Sequence, residues 1–288
     1  MQKLFFICSS PISISVFLKP HLEVLHSFYF LFVFANTKEG KLLQEDGLNL
    51  AVEFAPIERK IYLIADLKAL WWLFRKFRSE RPNAVHTLTP KAGLLGMCAA
   101  WLARVPVRVH TFTGQVWVTR QGFMRWVLKA ADRCIALLAT DVLVDSPSQR
   151  RFLIQEGVVS VQGSAVLGEG SICGVNTQRF RPSTVVRQQV RAFLGSSSDA
   201  LVCLYLGRLN RDKGVLDLAA AFAQVANKRS NAELWVVGPD EDDMFAQMQS
   251  MLGTCSDQVR RVGYTSEPER FMQAADLFCL PSYREGFG

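Results

Sequence analysis

The sequence predicts an α/β fold with two doubly wound domains, and three observations support this. Short apolar segments rich in β-branched and aromatic residues, such as 202–206, alternate with segments of helical apolar spacing, such as 215–225. The 288 residues exceed the size of one small domain. A polar stretch over 183–199 contains three consecutive serines, so we place a linker there, between domains at 1–182 and 200–288.

The composition is that of a folded protein of a reducing compartment. Hydrophobic residues make up 49% of the chain and charged residues 20%, which excludes a disordered chain. The seven cysteines are scattered singly and form no C-x-x-C motif, which argues against a disulfide framework and against a zinc site. The apolar run 28–35 is shorter than the roughly 20 residues of a membrane-spanning helix. We therefore expect a cytoplasmic protein without a metal or other cofactor.

The basic charge belongs to the first part of the chain. The formal net charge is +7. Residues 200–288 carry nine Lys and Arg against twelve Asp and Glu, so the positive excess lies entirely within 1–199. A basic surface attracts anionic lipids, phosphorylated substrates or nucleic acids without choosing among them.

Two predicted helices combine this charge with aromatic residues. The first spans 66–81 and the second surrounds Trp126, and each carries several Lys or Arg side chains. The apolar positions are Leu67, Leu70, Trp71, Phe74 and Phe77 in the first helix and Phe123, Trp126, Val127 and Leu137 in the second. Packing against a sheet is the favoured interpretation of these positions, and contact with a membrane interface is the alternative.

The loop after the strand at 202–206 carries two cations. Arg208 follows Gly207, and Lys213 precedes Gly214 at the start of the next predicted helix. In open α/β sheets, ligands bind at the carboxyl ends of the strands, and a helix start favours anions. The planar fork of an arginine and the point charge of a lysine together suit a diphosphate. A surface loop with two solvated cations is the alternative.

A second loop follows a short predicted strand near the end of the chain. Glu285 is followed by Gly286 and Gly288, and glycines allow a backbone to approach a ligand closely. A carboxylate at this position can accept hydrogen bonds from sugar hydroxyls.

Four motifs in order resemble a known family. They are GRLxxxKG from Gly207, VVGP at 236–239, VGYTSE from Val262 and AADLFCLPSYREGFG at the end. Together they resemble the donor-binding half of retaining GT-B glycosyltransferases of family 4, also called group 1. The resemblance is strong over 201–288 and moderate over 105–182. It implies two Rossmann-like domains that face each other across a cleft, with the acceptor on the first and the nucleotide-sugar on the second.

The resemblance also implies roles for individual residues. Arg208 and Lys213 would contact the donor diphosphate, and Glu285 would hold the donor sugar. The other implied donor contacts are Gly207, the main-chain N–H groups of Gly286, Phe287 and Gly288, and Gly263 and Tyr264 beside the base. A second glutamate of the family motif would lie beyond Gly288, so we expect the second domain to be incomplete and the chain to be truncated at its C-terminus.

Acceptor-side candidates come from two strands of the first domain. His86 lies in a strand that runs into a predicted helix, and His110 lies in the strand at 107–112. Thr113 precedes Gly114 where many relatives carry a histidine. We take His86, His110 and Thr113 as residues that face the acceptor.

The implied activity is sugar transfer with retention of the anomeric configuration. The donor would be a UDP-sugar and the acceptor a glycan on a polyprenyl diphosphate lipid, in surface polysaccharide synthesis at the inner face of the plasma membrane.

Cations would stabilise the departing diphosphate in place of a metal, and the acidic stretch 240–243 is predicted to form the first turn of a helix. We expect no nucleic-acid partner. A nucleotide-sugar epimerase of the same fold and an inactive remnant or scaffold are the alternatives.

Overall fold

The protein is described by a computed structural model that covers residues 1–37, 42–45, 48–58 and 61–287. Its strands are β1 Gln2–Ile7, β2 Tyr29–Ala35, β3 Leu42–Glu45, β4 Leu48–Phe54, β5 Ala84–Leu88, β6 Val107–Phe112, β7 Asp141–Val144, β8 Ser164–Ala165, β9 Leu201–Leu206, β10 Ala232–Val237, β11 Val259–Gly263 and β12 Leu277–Phe278. Its α-helices are α1 Pro11–Ser13, α2 Lys19–Leu25, α3 Leu63–Glu80, α4 Pro90–Leu102, α5 Gly122–Leu138, α6 Pro147–Gln155, α7 Thr184–Phe193, α8 Val215–Ala226, α9 Met244–Leu252 and α10 Pro268–Ala274.

The first compact unit contains residues 1–174 and is built on an eight-stranded sheet. The strand order is β3-β4-β2-β1-β5-β6-β7-β8, and every neighbouring pair is parallel except β3 with β4. Strand β1 is buried on both faces, because Phe5 and Ile7 pack into one hydrophobic cluster and Phe6 packs into another. The near-continuous apolar sequence of this strand is typical of a parallel sheet covered by helices on both sides.

The second compact unit contains residues 175–286 and is built on a parallel sheet in the order β11-β10-β9-β12. Cys203 and Tyr205 of β9 pack with α8 and α9 on one face of the sheet. Val202 and Leu204 pack on the other face with residues of α7 and α10. The predicted alternation of strands and helices in both parts of the chain is confirmed.

The segment predicted as a linker over 183–199 contains helix α7 and belongs to the second unit. Arg191 is only 4% exposed, and its guanidinium donates to the carbonyl of Ala274 and to the carboxylate of Asp276 at 2.7 Å. The preceding residues also pack with this unit, since Arg179 pairs with Glu269 at 2.7 Å. The division by contacts therefore falls after Gly174, eight residues before the predicted end of the first domain at 182.

Helix α3 packs against the sheet with one face only. Ala69, Leu73 and Phe77 are buried, whereas Leu67 and Trp71, which we expected to share this face, are exposed. Helix α5 differs more strongly from the prediction of core packing. Phe123, Trp126 and Leu137 are all exposed, and Asp132 and Ile135 are its buried residues. Helical spacing identifies residues that share a face, but it does not say which face meets the sheet.

Within the part of the chain that the structure describes, no helix is both long enough and apolar enough to cross a bilayer.

Candidate functional site

The loops predicted to bind a donor all leave the second unit's sheet at one edge. Strands β9, β10, β11 and β12 are parallel neighbours, so their carboxyl ends lie side by side. These ends lead into the segments 207–214, 238–241, 263–264 and 279–287. The sheet thereby brings together residues that lie up to 80 positions apart in the chain.

The loops after β9 and β10 run alongside each other beyond the sheet. The N–H of Gly207 donates to the carbonyl of Val237 at 2.9 Å, and the N–H of Leu209 donates to the carbonyl of Pro239 at 2.8 Å. Gly238 has φ +134°, and a Cβ atom there would lie 1.9 Å from the carbonyl oxygen of Gly207. Only a glycine permits this close approach of the two backbones.

This approach places Arg208 beside a carboxylate of the neighbouring loop. Arg208 Nη1 donates to Oε1 and Oε2 of Glu241 at 2.8 and 3.0 Å. Asn210 Nδ2 donates to the same Oε2 at 3.0 Å. The donors of Arg208 and Asn210 therefore converge on one small anionic group, at the edge of the sheet where the diphosphate was predicted to bind.

Lys213 lies beside the terminal loop. Its ammonium group forms an ion pair with Glu285. The two loops also touch through their backbones, because Gly214 adopts φ +65° and a Cβ atom there would lie 2.0 Å from the carbonyl oxygen of Pro281. Two residues predicted to contact different parts of one donor are thus direct neighbours.

Further contacts between these two loops were not predicted from the sequence. The N–H of Tyr283 donates to the carbonyl of Asp212 at 2.9 Å, and the Tyr283 hydroxyl donates to Asp217 of α8. Arg284 Nη2 pairs with Asp212 Oδ2 at 3.2 Å. The terminal loop is therefore fixed on the loop that carries Lys213.

Tyr205 is a buried residue of β9 whose side chain holds the backbone of Arg208. Its hydroxyl donates to the carbonyl oxygen of Arg208 at 2.7 Å. Burial raises the pKa of this phenol above its usual value, and the nearby carboxylate of Glu285 adds to the shift. The strand pattern marked Tyr205 as core, and nothing local in the sequence indicates this hydrogen bond.

Gly263 and Tyr264 lie at the same edge, where β11 ends, and Gly286 lies in the terminal loop. Phe287 groups with the first unit by its contacts. Gly263 ends β11 with φ +83°, and its carbonyl accepts from the N–H of Gly238 at 2.6 Å. Tyr264 and Phe287 are exposed, and Gly286 is half-buried. Gly288, which we predicted to offer a main-chain N–H group, lies outside the described residues.

The two candidate histidines lie within β5 and β6, and His110 is enclosed whereas His86 is partly exposed. His110 is 1% exposed, its Nδ1 lies 2.7 Å from Thr87 Oγ1, and burial lowers its pKa to about 3. His86 Nε2 lies 2.8 Å from Thr111 Oγ1, and burial lowers its pKa to about 4. The lowered pKa favours the neutral form of both imidazoles. The enclosure of His110 differs from its predicted role in facing an acceptor.

Thr113 lines a small cavity with His110, Gln115 and Asp132, among others. Its volume of about 10 Å³ leaves room for no more than one water molecule. Asp132 accepts a hydrogen bond from Trp117 Nε1 at 2.8 Å, and burial raises its pKa to about 6. The cavity is therefore too small for a sugar, and Asp132 is a buried carboxyl group that the sequence did not single out.

The acidic stretch 240–243 precedes a helix rather than forming its first turn. Helix α9 begins at Met244, and the Asp240 carboxylate accepts from the N–H groups of Met244 and Phe245 at 2.8 and 3.0 Å. Asp240 thus caps the helix, while Glu241 pairs with Arg208. Among the described residues, no three His, Cys, Asp or Glu side chains are grouped so that they could hold a metal ion.

Comparison with known proteins matches both units to glycosyltransferase families. Residues 186–288 match the family described as glycosyl transferases group 1, and residues 31–166 match the glycosyl transferase 4-like domain. The chain is 30% identical over 254 residues to the capsular polysaccharide biosynthesis glycosyltransferase CapM of Staphylococcus aureus, with 88% of this chain and 66% of that protein covered.

Two further proteins complete the comparison. A UDP-Gal:α-D-GlcNAc-diphosphoundecaprenol α-1,3-galactosyltransferase of Escherichia coli is 28% identical over 233 residues, with 79% of this chain and 59% of that protein covered. The fold is similar to that of a sucrose-phosphate synthase from Thermosynechococcus elongatus, with a TM-score of 0.76 at 20% identity and coverage of 100% of this chain and 77% of the other. The chain thus spans less than two thirds of the length of both curated relatives.

Three findings agree with one another. They are the motifs that follow β9, β10, β11 and β12, the family matches over 31–166 and 186–288, and the shared α/β fold. The chain therefore belongs to the group 1 glycosyltransferases, also called family 4, which have the GT-B fold.

Proposed function

We propose that the protein transfers a sugar from a UDP-sugar to a glycan acceptor on a polyprenyl diphosphate lipid, with retention, in surface polysaccharide synthesis. The observation that carries the proposal is the placement of Arg208, Lys213 and Glu285 at one edge of the second unit's sheet. Two cations and a carboxylate there match the needs of a diphosphate and of sugar hydroxyls, respectively.

The proposed chemistry is stabilisation of the leaving group by charge. As the bond from the sugar to the diphosphate breaks, negative charge grows on the departing oxygen. Arg208 and Lys213 would offset that charge, and Glu285 would orient the sugar through its hydroxyls. We assign no protein base, because the departing phosphate itself can accept the proton of the acceptor hydroxyl. We also propose that transfer needs no metal, so activity should survive dialysis against EDTA.

The lipid-linked acceptor is supported by the relatives and by surface features of the first unit. The E. coli relative is named for an undecaprenyl diphosphate-linked substrate, and the S. aureus relative for capsular polysaccharide synthesis. In this chain, Leu63, Ile64, Leu67 and Trp71 form an exposed apolar stripe at the start of α3, and Trp71 is 61% exposed. The stripe supports our proposal that the first unit contacts a membrane surface.

Basic residues accompany this stripe on the same helix. Lys68, Arg75 and Arg78 are exposed on α3. On α5, Phe123 and Trp126 are exposed and stack with ring centroids 5.9 Å apart. Exposed aromatic and aliphatic side chains beside cations suit the interface of an anionic bilayer.

Binding of UDP to this chain tests the donor site. The double variant Arg208→Ala/Lys213→Ala should weaken UDP binding at least tenfold, because it removes two charge-assisted contacts. Lys228→Ala/Arg229→Ala removes the same charge from two exposed residues that follow α8 and serves as the control. Unchanged UDP affinity in the Arg208 and Lys213 variant would refute the assigned site.

Product analysis tests the reaction. NMR of the product of a UDP-sugar and a lipid diphosphate-linked glycan should show a new glycosidic bond with the donor's anomeric configuration. Conversion of the UDP-sugar to its epimer without an acceptor would favour the epimerase instead. UDP binding without any conversion would favour a scaffold.

A further inference from the structure

The carboxylate of Glu241 occupies the position on Arg208 where an anion would bind. It receives hydrogen bonds from Arg208 Nη1 at 2.8 and 3.0 Å and from Asn210 Nδ2 at 3.0 Å. These donors belong to the loop after β9, which is assigned above to the donor diphosphate. A carboxylate oxygen and a phosphate oxygen accept hydrogen bonds from an arginine in the same way. Glu241 therefore stands where a phosphate oxygen would stand.

The backbone fixes Glu241 next to Arg208. Leu209 and Asp240 form a parallel β-bridge beyond the ends of their strands. Leu209 directly follows Arg208, and its carbonyl accepts a hydrogen bond from the N–H of Glu241 at 3.2 Å. Asp240 is in turn held by its hydrogen bonds to the start of α9. The contact thus arises from backbone pairing, and does not depend on a chance meeting of two long side chains.

We propose that Glu241 is an internal competitor of the donor, which must leave Arg208 before the diphosphate can bind. This inference rests on the proposed function, since it assumes that Arg208 binds the donor. Arg208 is nearly half exposed, and exposed ion pairs are weak, so a strong ligand can displace Glu241 readily. A diphosphate that also reaches Lys213 overcomes this competition, whereas a weakly charged anion does not. Glu241 therefore contributes to selectivity for polyphosphate ligands.

The test is the affinity for UDP and for uridine, measured by calorimetry on the full chain and on Glu241→Gln. The variant keeps the size of the side chain and removes its charge. We expect it to bind UDP about two- to fivefold more tightly, which corresponds to the strength of an exposed ion pair. Binding of uridine should not change, because uridine carries no phosphate. A general effect on the fold of the loop would change both affinities.

Two controls separate this role from a general effect of charge. Asp242→Asn removes a negative charge from the exposed residue that directly follows Glu241. It should change the UDP affinity less than Glu241→Gln. In an Arg208→Ala background, Glu241→Gln should have no effect on UDP. Glu241 would not be a competitor if its variant bound UDP as the wild type does or more weakly, or if the gain persisted without Arg208.

The outcomes also separate this inference from the proposed function. If UDP binds the wild type and Arg208→Ala weakens it, while Glu241→Gln has no effect, only the competitor role is wrong. If Arg208→Ala leaves UDP binding unchanged, the donor site itself is wrong, and the role of Glu241 fails with it.

Discussion

Lys213 and Glu285 form an ion pair although 72 positions separate them in the chain. The lysine precedes α8 and the glutamate follows β12, and the strands that lead to them, β9 and β12, are neighbours. In the proposed reaction the lysine contacts the diphosphate and the glutamate contacts the sugar. The ion pair shows that both groups reach the same small region of the sheet edge.

Replacement of Glu285 by glutamine should therefore separate sugar recognition from diphosphate recognition. Affinity for UDP should stay equal or rise by up to about fivefold, because Lys213 loses a competing charge. The advantage of the UDP-sugar over UDP should fall by about tenfold, because a charge-assisted hydrogen bond to a sugar hydroxyl is lost. Calorimetry with both ligands measures the two effects.

Glu267→Gln is the matched control, since Glu267 forms an exposed ion pair with Arg270 at 3.3 Å. It should alter neither affinity. A Glu285→Gln variant that retained the full advantage of the UDP-sugar would show that Glu285 does not contact the sugar.

The contact of Gly214 with the terminal loop leads to a second prediction. Gly214→Ala should weaken UDP binding and lower the unfolding temperature, because the new methyl group would meet the Pro281 carbonyl at 2.0 Å. Gly195→Ala is the control for positive φ, since Gly195 has φ +67° and no atom lies within 4 Å of an added Cβ. The difference between the two variants measures the contact alone.

We expect Gly195→Ala to lose about 1 kcal/mol of stability and no UDP affinity. Gly214→Ala should lose both stability and UDP affinity, as measured by thermal unfolding and calorimetry, respectively. Equal behaviour of the two variants would mean that the contact with Pro281 does not hold the loop in place.

The strands and the loops with glycines and cations were predictable because their signals are local. Apolar β-branched runs mark buried strands, and parallel strands place their carboxyl ends at one edge. The partners of those cations were not predictable in the same way. Glu241 reaches Arg208 only because the loops after β9 and β10 run side by side, and a single sequence carries no record of that pairing.

The errors at α5 and α7 have related physical causes. The polar composition and the three serines made the stretch over 183–199 look solvated, but Arg191 of α7 is buried. Arg187 and Arg191 both pair with Asp276. In α5 the apolar side chains of Phe123 and Trp126 suggested a core that the fold places elsewhere. In both cases burial depends on tertiary partners, which composition does not reveal.

The exposed stripe on α3 predicts binding to anionic bilayers. Leu67→Ser/Trp71→Ser should lower partitioning onto phosphatidylglycerol vesicles by roughly tenfold or more, because it removes two apolar side chains that the membrane would bury. Binding should also weaken as salt is raised, since Lys68 and Arg75 attract the anionic surface. Vesicle sedimentation measures both effects.

Phe193→Ser is the control, because Phe193 is an equally exposed apolar residue of α7 in the second unit. It should leave partitioning unchanged. Equal binding of the α3 variant and the wild type would exclude this stripe as the contact surface, and equal binding to neutral phosphatidylcholine vesicles would exclude the role of charge.

The buried carboxyl group of Asp132 predicts a specific pH dependence of stability. Its pKa is about 6 in the folded protein and 3.8 without burial, so the folded state holds the proton more tightly than the unfolded state. This group therefore favours folding below about pH 4, and that contribution is lost as the pH rises to 6. Asp132→Asn cannot lose a proton, and its oxygen can still accept from Trp117.

The variant should match the wild type near pH 4 and become more stable towards pH 7, by on the order of 3 kcal/mol. The lowered pKa values of His86 and His110 destabilise both proteins equally as the pH falls, so their effect cancels in the difference. Denaturant unfolding of both proteins at several pH values gives this difference. A difference for Asp132→Asn that did not vary with pH would mean that the carboxyl group is not desolvated, and that solvent reaches the cavity beside His110.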